Sequence, residues 1–426
     1  MPHVVAMADN VQRLGFFARM TDGLDTLGLT LTVIVPRPAL VREGRRRGID
    51  VRLIGPRDDA ATASEEALER RTDTLTPRQA GRLHAGTRQL LAQLHHERGI
   101  ALLLVWNGRQ VAGLAATGFA READVPVLFL QAPWLAGRLM ADPCGTHLAS
   151  SIHAAPERLD AYPVSERAYL RWHGLYRTRR RESASVPAGS PTPPAGSPGR
   201  WLDRLYTRLG ASAVPAPPAR RRQLRQQRAV SAQLSALRDP MPGRYALYIA
   251  QPDDDPLVAL DSPVNAATAL ANALERARAR HLPLVVRLGH DFHDPRLLAG
   301  IIARLRQYRD VYLTASAIYP LVEYAERVIT INDVATVLDA RVLERPLDVL
   351  GGSLLAALDE DRLARLILGY TVPVDFFSHR PVPPEAIREM ITRLPPGQRP
   401  ALAGGSAAAA PEDAVMTLSP GMESRS

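Results

Sequence analysis

Three carboxylates stand in a row at Asp253-Asp254-Asp255, directly after the apolar run ALYIA and Gln251-Pro252. Crowded carboxylates repel, so at least one is expected to hold its proton more tightly than usual unless a cation or donor compensates. Such a group can act as a nucleophile, a base or a metal ligand. A solvated acidic turn between Pro252 and Pro256 is the plain alternative. A second polar cluster, GHDFHD, carries His290, Asp291, His293 and Asp294. Histidines three apart with aspartates between them can ligate a metal. A turn leading into a helix capped by Asp294, just before Pro295, is the preferred reading. A neutral His290 could instead donate to a phosphate or carboxylate of a ligand.

Asn107-Gly108 reads as a turn, and Gly351-Gly352 as ordinary loop punctuation or as a place where a helix N-terminus approaches an anion. All these residues follow short apolar runs, as do Gln131 and Asn332-Asp333. They therefore sit where the C-terminal ends of parallel strands are expected, the edge at which such sheets bind ligands.

The elements that must position them fall into two groups. In the first, PHVVAMA, LTLTVIVP, DVRLIGP, IALLLVWNG and VPVLFLQ read as strands. Between them lie helical stretches such as FFARMTDGLDTLG, with Phe16, Met20, Leu24 and Leu27 at helical spacing, and the run from Pro77 to Arg98. In the second, RYALYIAQP, LPLVVRLG, VYLTAS, RVITIN and LDVLGG alternate with helices such as Ala266 to His281. Strands alternating with helices predict parallel sheets covered by helices. The expected fold class is α/β: two Rossmann-like parallel-sheet domains with a cleft between them, a GT-B-like arrangement. The domains are expected at residues 1–165 and 243–395, with a basic linker at 166–242 and a disordered tail at 396–426.

Composition narrows the chemistry. The chain has 426 residues and its 53 basic residues are all arginine. Without lysine there is no Schiff-base chemistry and no Walker-type phosphate loop. One cysteine, Cys144, leaves no disulfide within the chain and no multi-cysteine metal site. No apolar run reaches transmembrane length and no signal-peptide pattern opens the chain, so a cytoplasmic location is expected.

The net charge of +9 is unevenly spread: between Arg167 and Arg228 there are 14 arginines against Glu182 and Asp203. Within this stretch, residues 183–200 are rich in Pro, Gly and Ser and are expected to be disordered. WLDRLYTRLG places Trp201, Leu202, Leu205 and Leu209 at helical spacing, as an interfacial amphipathic helix would. Contact with an anionic membrane surface or a partner is favoured for residues 167–228 over nucleic acid, although aromatics among arginines also suit base stacking.

In order, these motifs resemble the capsular polysaccharide biosynthesis/export family of bacterial β-Kdo transferases (the KpsS/KpsC type). FFARMTDGLDTLG resembles its opening helix. VWNGRQVAGLAATGFAREADVPVLFLQAPWLAGRLMADPCGTHLASS resembles its stretch with WNG, an aromatic-Glu-x-Gly and a G-x-N. AQPDDDPLVALDSP is similar to its Q…D-S-Q-I…S-P element, and VVRLGHD stands where the family has a basic residue and a His-Pro pair. ERVITINDVATVLDARVLERPLDVLGG is similar to its V-T-I-N-S-T-x-G-x-E-A-L…P-V…G signature. The resemblance covers Val4 to Ser151 and Arg244 to Leu355.

It implies a retaining GT-B glycosyltransferase that transfers β-linked Kdo from CMP-Kdo to a lipid-linked acceptor at the cytoplasmic face of the inner membrane, beside other capsule assembly proteins. No resident cofactor or metal is implied. By this mapping Asp255 is the nucleophile and Gln131 stands at the family's acid/base glutamate. Gln251 shapes the pocket, with Asn107, Gly108 and Asp254 around it. Arg287 and His290 contact the cytidine phosphate or sugar carboxylate, and Thr330, Asn332, Asp333 and Gly352 line the nucleotide loop.

The chain also departs from the family. An amide at Gln131 cannot transfer protons. Asp333-Val334 replaces a Ser-Thr pair that would donate to phosphate, and Asp291 replaces the proline after His290. Ala335 to Leu338 lack the family's glycine and glutamate. A catalytically silent relative acting as a binding or scaffold subunit is therefore the alternative reading.

Overall fold

A computed structural model describes residues 1–58, 64–131, 135–185, 200–218 and 220–403. The apolar runs form two sheets. The first contains β1 (His3–Met7), β2 (Thr30–Val35), β3 (Asp50–Leu53), β4 (Ile100–Trp106), β5 (Val127–Gln131) and β6 (Met140–Asp142), in the order β3-β2-β1-β4-β5-β6. Its pairs are parallel except β5 with β6, whose register sets Gln131 opposite Met140. The second contains β7 (Ala246–Ile249), β8 (Leu284–Arg287), β9 (Val311–Thr314), β10 (Arg327–Thr330) and β11 (Leu347–Val349), all parallel in the order β11-β10-β7-β8-β9. Both are Rossmann-like. The strand order reverses between β1 and β4 and between β7 and β10, and the loops leaving those pairs are the natural ligand positions.

Local sequence explains the covering helices. Helix α1 (Val11–Thr26) starts where Asn10 accepts the Arg13 N–H, and it buries Phe16, Met20 and Leu24, with Leu27 just past its end, as their spacing predicts. Helix α2 is Pro38–Arg46. Helix α3 (Pro77–Arg98) opens with a reciprocal Thr76–Gln79 capping box and stops at Gly99, whose φ of 68° suits glycine.

Two expected boundaries are corrected. First, residues 166–242 are not a separate linker, because Trp172, Val214, Val230 and Leu234 are buried in the cores of the two domains. Helix α4 (Glu166–Ser185) buries Trp172 with Val337 and Leu338 of the second domain. Its Tyr176 hydroxyl donates to Asp339 at 2.7 Å, and Arg180 pairs with the same buried carboxylate. Helix α5 (Arg200–Arg208) returns to the first domain, where Asp203 accepts the Ala39 N–H at 2.9 Å. Helix α6 (Arg220–Ser235) crosses again and buries Val230 and Leu234 in the second core. Of the stretch expected to be disordered, residues 183–185 continue α4 and residue 200 begins α5, while 186–199 lie outside the described residues.

Second, the second domain does not extend to 395. Val372, Val374, Phe376, Val382, Ile387, Met390 and Ile391 complete the core around Phe16, Leu24 and Trp106. The chain re-enters the first domain through a Leu139–Val372 bridge and ends on helix α7 (Pro384–Thr392), packed on α1 beside Gly23. Helical periodicity announces a buried face without saying which sheet receives it. Of the tail, Pro396–Gln398 forms a short helical turn and Ala403 donates to the Leu27 carbonyl. Residues 404–426 lie outside the described residues. No helix among the described residues is long and apolar enough to cross a membrane.

Candidate functional site

At the β7/β10 reversal three expected site residues satisfy one another. The Gln251 carbonyl oxygen accepts from the Asn332 N–H at 3.0 Å and from the Thr330 hydroxyl at 3.1 Å. The Gln251 amide donates to Asn332 Oδ1 at 3.2 Å, and the Asn332 amide donates to the Leu257 carbonyl at 2.8 Å. All three are buried. They lock the two strand ends together and keep few polar groups free for a ligand.

The three consecutive aspartates separate into three roles. Asp253 accepts the Ala266 N–H at 2.6 Å, and Asp254 is exposed in the turn. Asp255 caps the short helix Pro256–Asp261, accepting the Leu257 and Val258 N–H groups. Both bonds fall on Oδ1, so Oδ2 has no hydrogen bond among the described residues. Burial pushes the Asp255 carboxyl above its usual range, and the Asp333 and Asp291 carboxylates add to the rise. The expected crowding effect is present, but it comes from other strand ends and not from Asp253 and Asp254.

Arg287, at the end of β8, faces Asp291 and Asp333. Burial lowers its guanidinium below the usual value, and its Nε has no partner among the described residues. The guanidinium passes over Gly289, where a Cβ would collide with it. His290 is partly buried in the following turn and makes no hydrogen bond among the described residues. Asp294 caps the helix at Pro295–Leu305 by accepting the Arg296 N–H, as its position before proline indicates. No group of three or more His, Cys, Asp or Glu in metal-holding range occurs among the described residues.

The loops leaving the first sheet meet this edge. Asn107 and Gly108 both have positive φ, 55° and 70°, and a Cβ on Gly108 would strike the Phe129 ring. Thr146 donates to the Asn107 carbonyl at 3.3 Å, while Asn107 Oδ1 is buried without a partner among the described residues. Gln131 accepts the His147 N–H at 3.4 Å. His147 is 4% exposed with φ 54°, a backbone region uncommon for residues other than glycine. Its Nδ1 lies 3.0 Å from Asp261 Oδ2 of the second domain, and Arg109 reaches Asp261 Oδ1 at 3.5 Å. His147 Nε2 is buried without a partner among the described residues.

Gly352 has a different role from the one expected. Its N–H donates to the Asp261 carbonyl and that of Gly351 donates to Ile331, so neither is open to an anion. A Cβ on Gly352 would collide with Leu148 of the first domain. Gly352 therefore lets the domains approach each other closely, while Gly351 fits against Ser262 and Ile331 of its own domain.

No protein-family model matches the chain, and no curated protein does. The chain is similar to several solved structures. KpsC, the beta Kdo 2,7 transferase of Thermosulfurimonas dismutans, is 16% identical, with 72% of this chain and 89% of that one covered and a TM-score of 0.38. The UDP-GlcNAc 2-epimerase of Methanocaldococcus jannaschii, in complex with UDP-GlcNAc and UDP, is 8% identical, covering 92% and 99%, at 0.34. The spinosyn forosaminyltransferase SpnP is 13% identical, covering 82% and 79%, at 0.25.

The site thus brings together Asp255, Arg287, Asp333 and the Gln251–Thr330–Asn332 hub on one side, and Asn107, Gly108 and Gln131 on the other. Asp254 stays at the surface. Three residues given no role by the family mapping belong to it: His147, Asp261 and Asp291. Two carried a signal, since His147 lies in the polar run ADPCGTHLASS after β5 and Asp291 follows His290. Asp261 ends an apolar helix and carried none.

Proposed function

We propose that the chain is a nucleotide-sugar-dependent glycosyltransferase acting between its two Rossmann-like domains, with CMP-Kdo as donor and a lipid-linked acceptor in surface polysaccharide assembly at the cytoplasmic face of the membrane. The observation that carries this reading is Asp255. It is a partly buried carboxylate at the second domain's strand-order reversal, fixed through Oδ1 by two backbone N–H groups with no hydrogen bond to Oδ2 among the described residues, and the helix it caps ends at Asp261, which pairs with His147 of the first domain.

In this reading Oδ2 bonds to the anomeric carbon as the nucleotide phosphate leaves with the bonding electrons. The acceptor oxygen then displaces the carboxylate, retaining configuration. The acceptor's proton goes to His147 Nε2, because Gln131 cannot take it, and Asp261 holds the ring through Nδ1 as an orienting carboxylate does. Arg287 is the cation available to the donor's phosphate or carboxylate.

Calorimetry with CMP and CMP-Kdo, using CDP- and UDP-sugars as controls, tests the donor. Transfer should vanish in Asp255→Asn while nucleotide binding persists; unchanged turnover in that variant removes Asp255 from the mechanism.

A second reading, a catalytically silent subunit that binds or scaffolds in polysaccharide assembly or export, is favoured by one group of observations. The hub Gln251–Thr330–Asn332 is internally satisfied, and a carboxylate at Asp333 occupies a helix N-terminus. Absence of cytidine nucleotide binding, together with capture of a polysaccharide-assembly protein, would select it.

A further inference from the structure

The exposed face of helix α5 (Arg200–Arg208) has no role in the cleft. Trp201, Leu205 and Leu209 are 58%, 42% and 70% exposed. At i, i+4 and i+8 they form one stripe along a helix about 14 Å long. Arg204 and Arg208 are exposed beside the stripe.

The acidic residues of this region point inward. Asp203 is 3% exposed, accepting the Ala39 N–H at the start of α2. Glu43, the acid of α2, is buried and paired with Arg47. Arg42, Arg45 and Arg46 on α2, the helix that α5 packs against, are exposed as well. The combined surface is therefore apolar and cationic with no exposed carboxylate on either helix. Both ends of α5 are held to the first domain, through Asp203 and through Arg82, which donates to the Gly210 carbonyl at 3.0 Å.

We propose that this face docks on an anionic phospholipid bilayer, with Trp201, Leu205 and Leu209 entering the headgroup–acyl boundary and the flanking arginines pairing with lipid phosphates. Two other occupants fit less well. A nucleic acid would engage the arginines and Trp201 but gives the two leucines nothing to pack on. A second copy would need about 800 Å² per partner, and a stripe of three side chains falls far short. The inference goes beyond the proposed transfer reaction and stands or falls without it.

The test is flotation of the full chain with vesicles of phosphatidylcholine alone or mixed equally with phosphatidylglycerol. Binding is expected only to the mixed vesicles, weakening with added salt, with a blue shift of tryptophan emission that Trp201→Phe removes. The triple variant W201S/L205S/L209S should lose at least tenfold in partitioning, and R204E/R208E should lose the preference for anionic lipid. All five positions are solvent-exposed, so unchanged circular dichroism and melting temperature are expected alongside. Failure of the wild type to float would overturn the proposal, as would full binding by the triple variant. Lipid-free self-association abolished by the triple variant, or tight nucleic-acid binding that R204E/R208E removes while vesicle binding stays, would also overturn it.

Discussion

Asp333 offers the sharpest test of how this cleft treats an anion. Its carboxylate caps the helix at Val334–Val342, accepting the Thr336 N–H at 2.6 Å, in the place where a phosphate would take the same donors. It also raises the proton affinity of Asp255. Asn caps a helix as well as Asp does, so Asp333→Asn removes the charge and leaves the helix start within a few tenths of a kcal/mol. A phosphate charge about 5 Å from the lost carboxylate, at an effective dielectric constant of 20 to 40, gains about 1.5–3 kcal/mol, which is roughly ten- to a hundredfold in affinity. Calorimetric titration of CMP into wild type and variant reads this directly, with Asp254→Asn as an exposed control expected to change little. The Asp255 carboxyl should titrate lower in the variant by carbon-detected NMR. Unchanged or weaker CMP binding by Asp333→Asn would refute the electrostatic argument.

Three further outcomes follow from the same contacts. Because the folded Asp255 carboxyl titrates above its ordinary 3.8, the folded chain holds that proton more tightly, and its contribution is lost as pH rises through the raised value. Asp255→Asn should therefore melt higher than wild type at neutral pH, and the gap should close as pH falls towards 3.8; a gap independent of pH would contradict this. Arg180→Ala leaves the fully buried Asp339 with Tyr176 as its one side-chain hydrogen-bond partner among the described residues, and a loss of about 3–5 kcal/mol is expected in denaturant unfolding. Adding Asp339→Asn should recover a large part of that loss. Gly352→Ala forces a methyl group against Leu148 and the Asp261 carbonyl, so the domains should separate measurably in small-angle scattering, with a cost of about 1–3 kcal/mol. Leu148→Ala in the same chain should relieve part of it.

Every strand but β6 could be read from sequence because each is a short β-branched or leucine-rich run, as in LPLVVRLG and RVITIN, whereas β6 is only the three residues Met140–Asp142, added antiparallel at the sheet edge. The residues that close those strands supply the candidate site, since parallel strands deliver their C-terminal ends to one edge. What sequence could not convey was pairing across distance. Gly351-Gly352 looks the same whether it cradles an anion or admits a leucine from another domain. The run of arginines reads as one linker by composition, yet Trp172, Asp203 and Val230 anchor its helices alternately to the second, first and second domains. His147 became significant only when Asp261, more than a hundred residues later, was placed 3.0 Å from its ring.

The return of residues 372–394 to the first core has a consequence for how the protein is made. Phe16 and Trp106 emerge early from the ribosome, but Phe376, with its ring 5.5 Å and 5.1 Å from theirs, is synthesised only after the whole second domain. The amino-terminal half must wait with an open apolar face while the carboxy-terminal sheet assembles. Closure of that face comes last, so the two halves reach their finished state together, and a chain released before Leu394 would leave its oldest part incomplete.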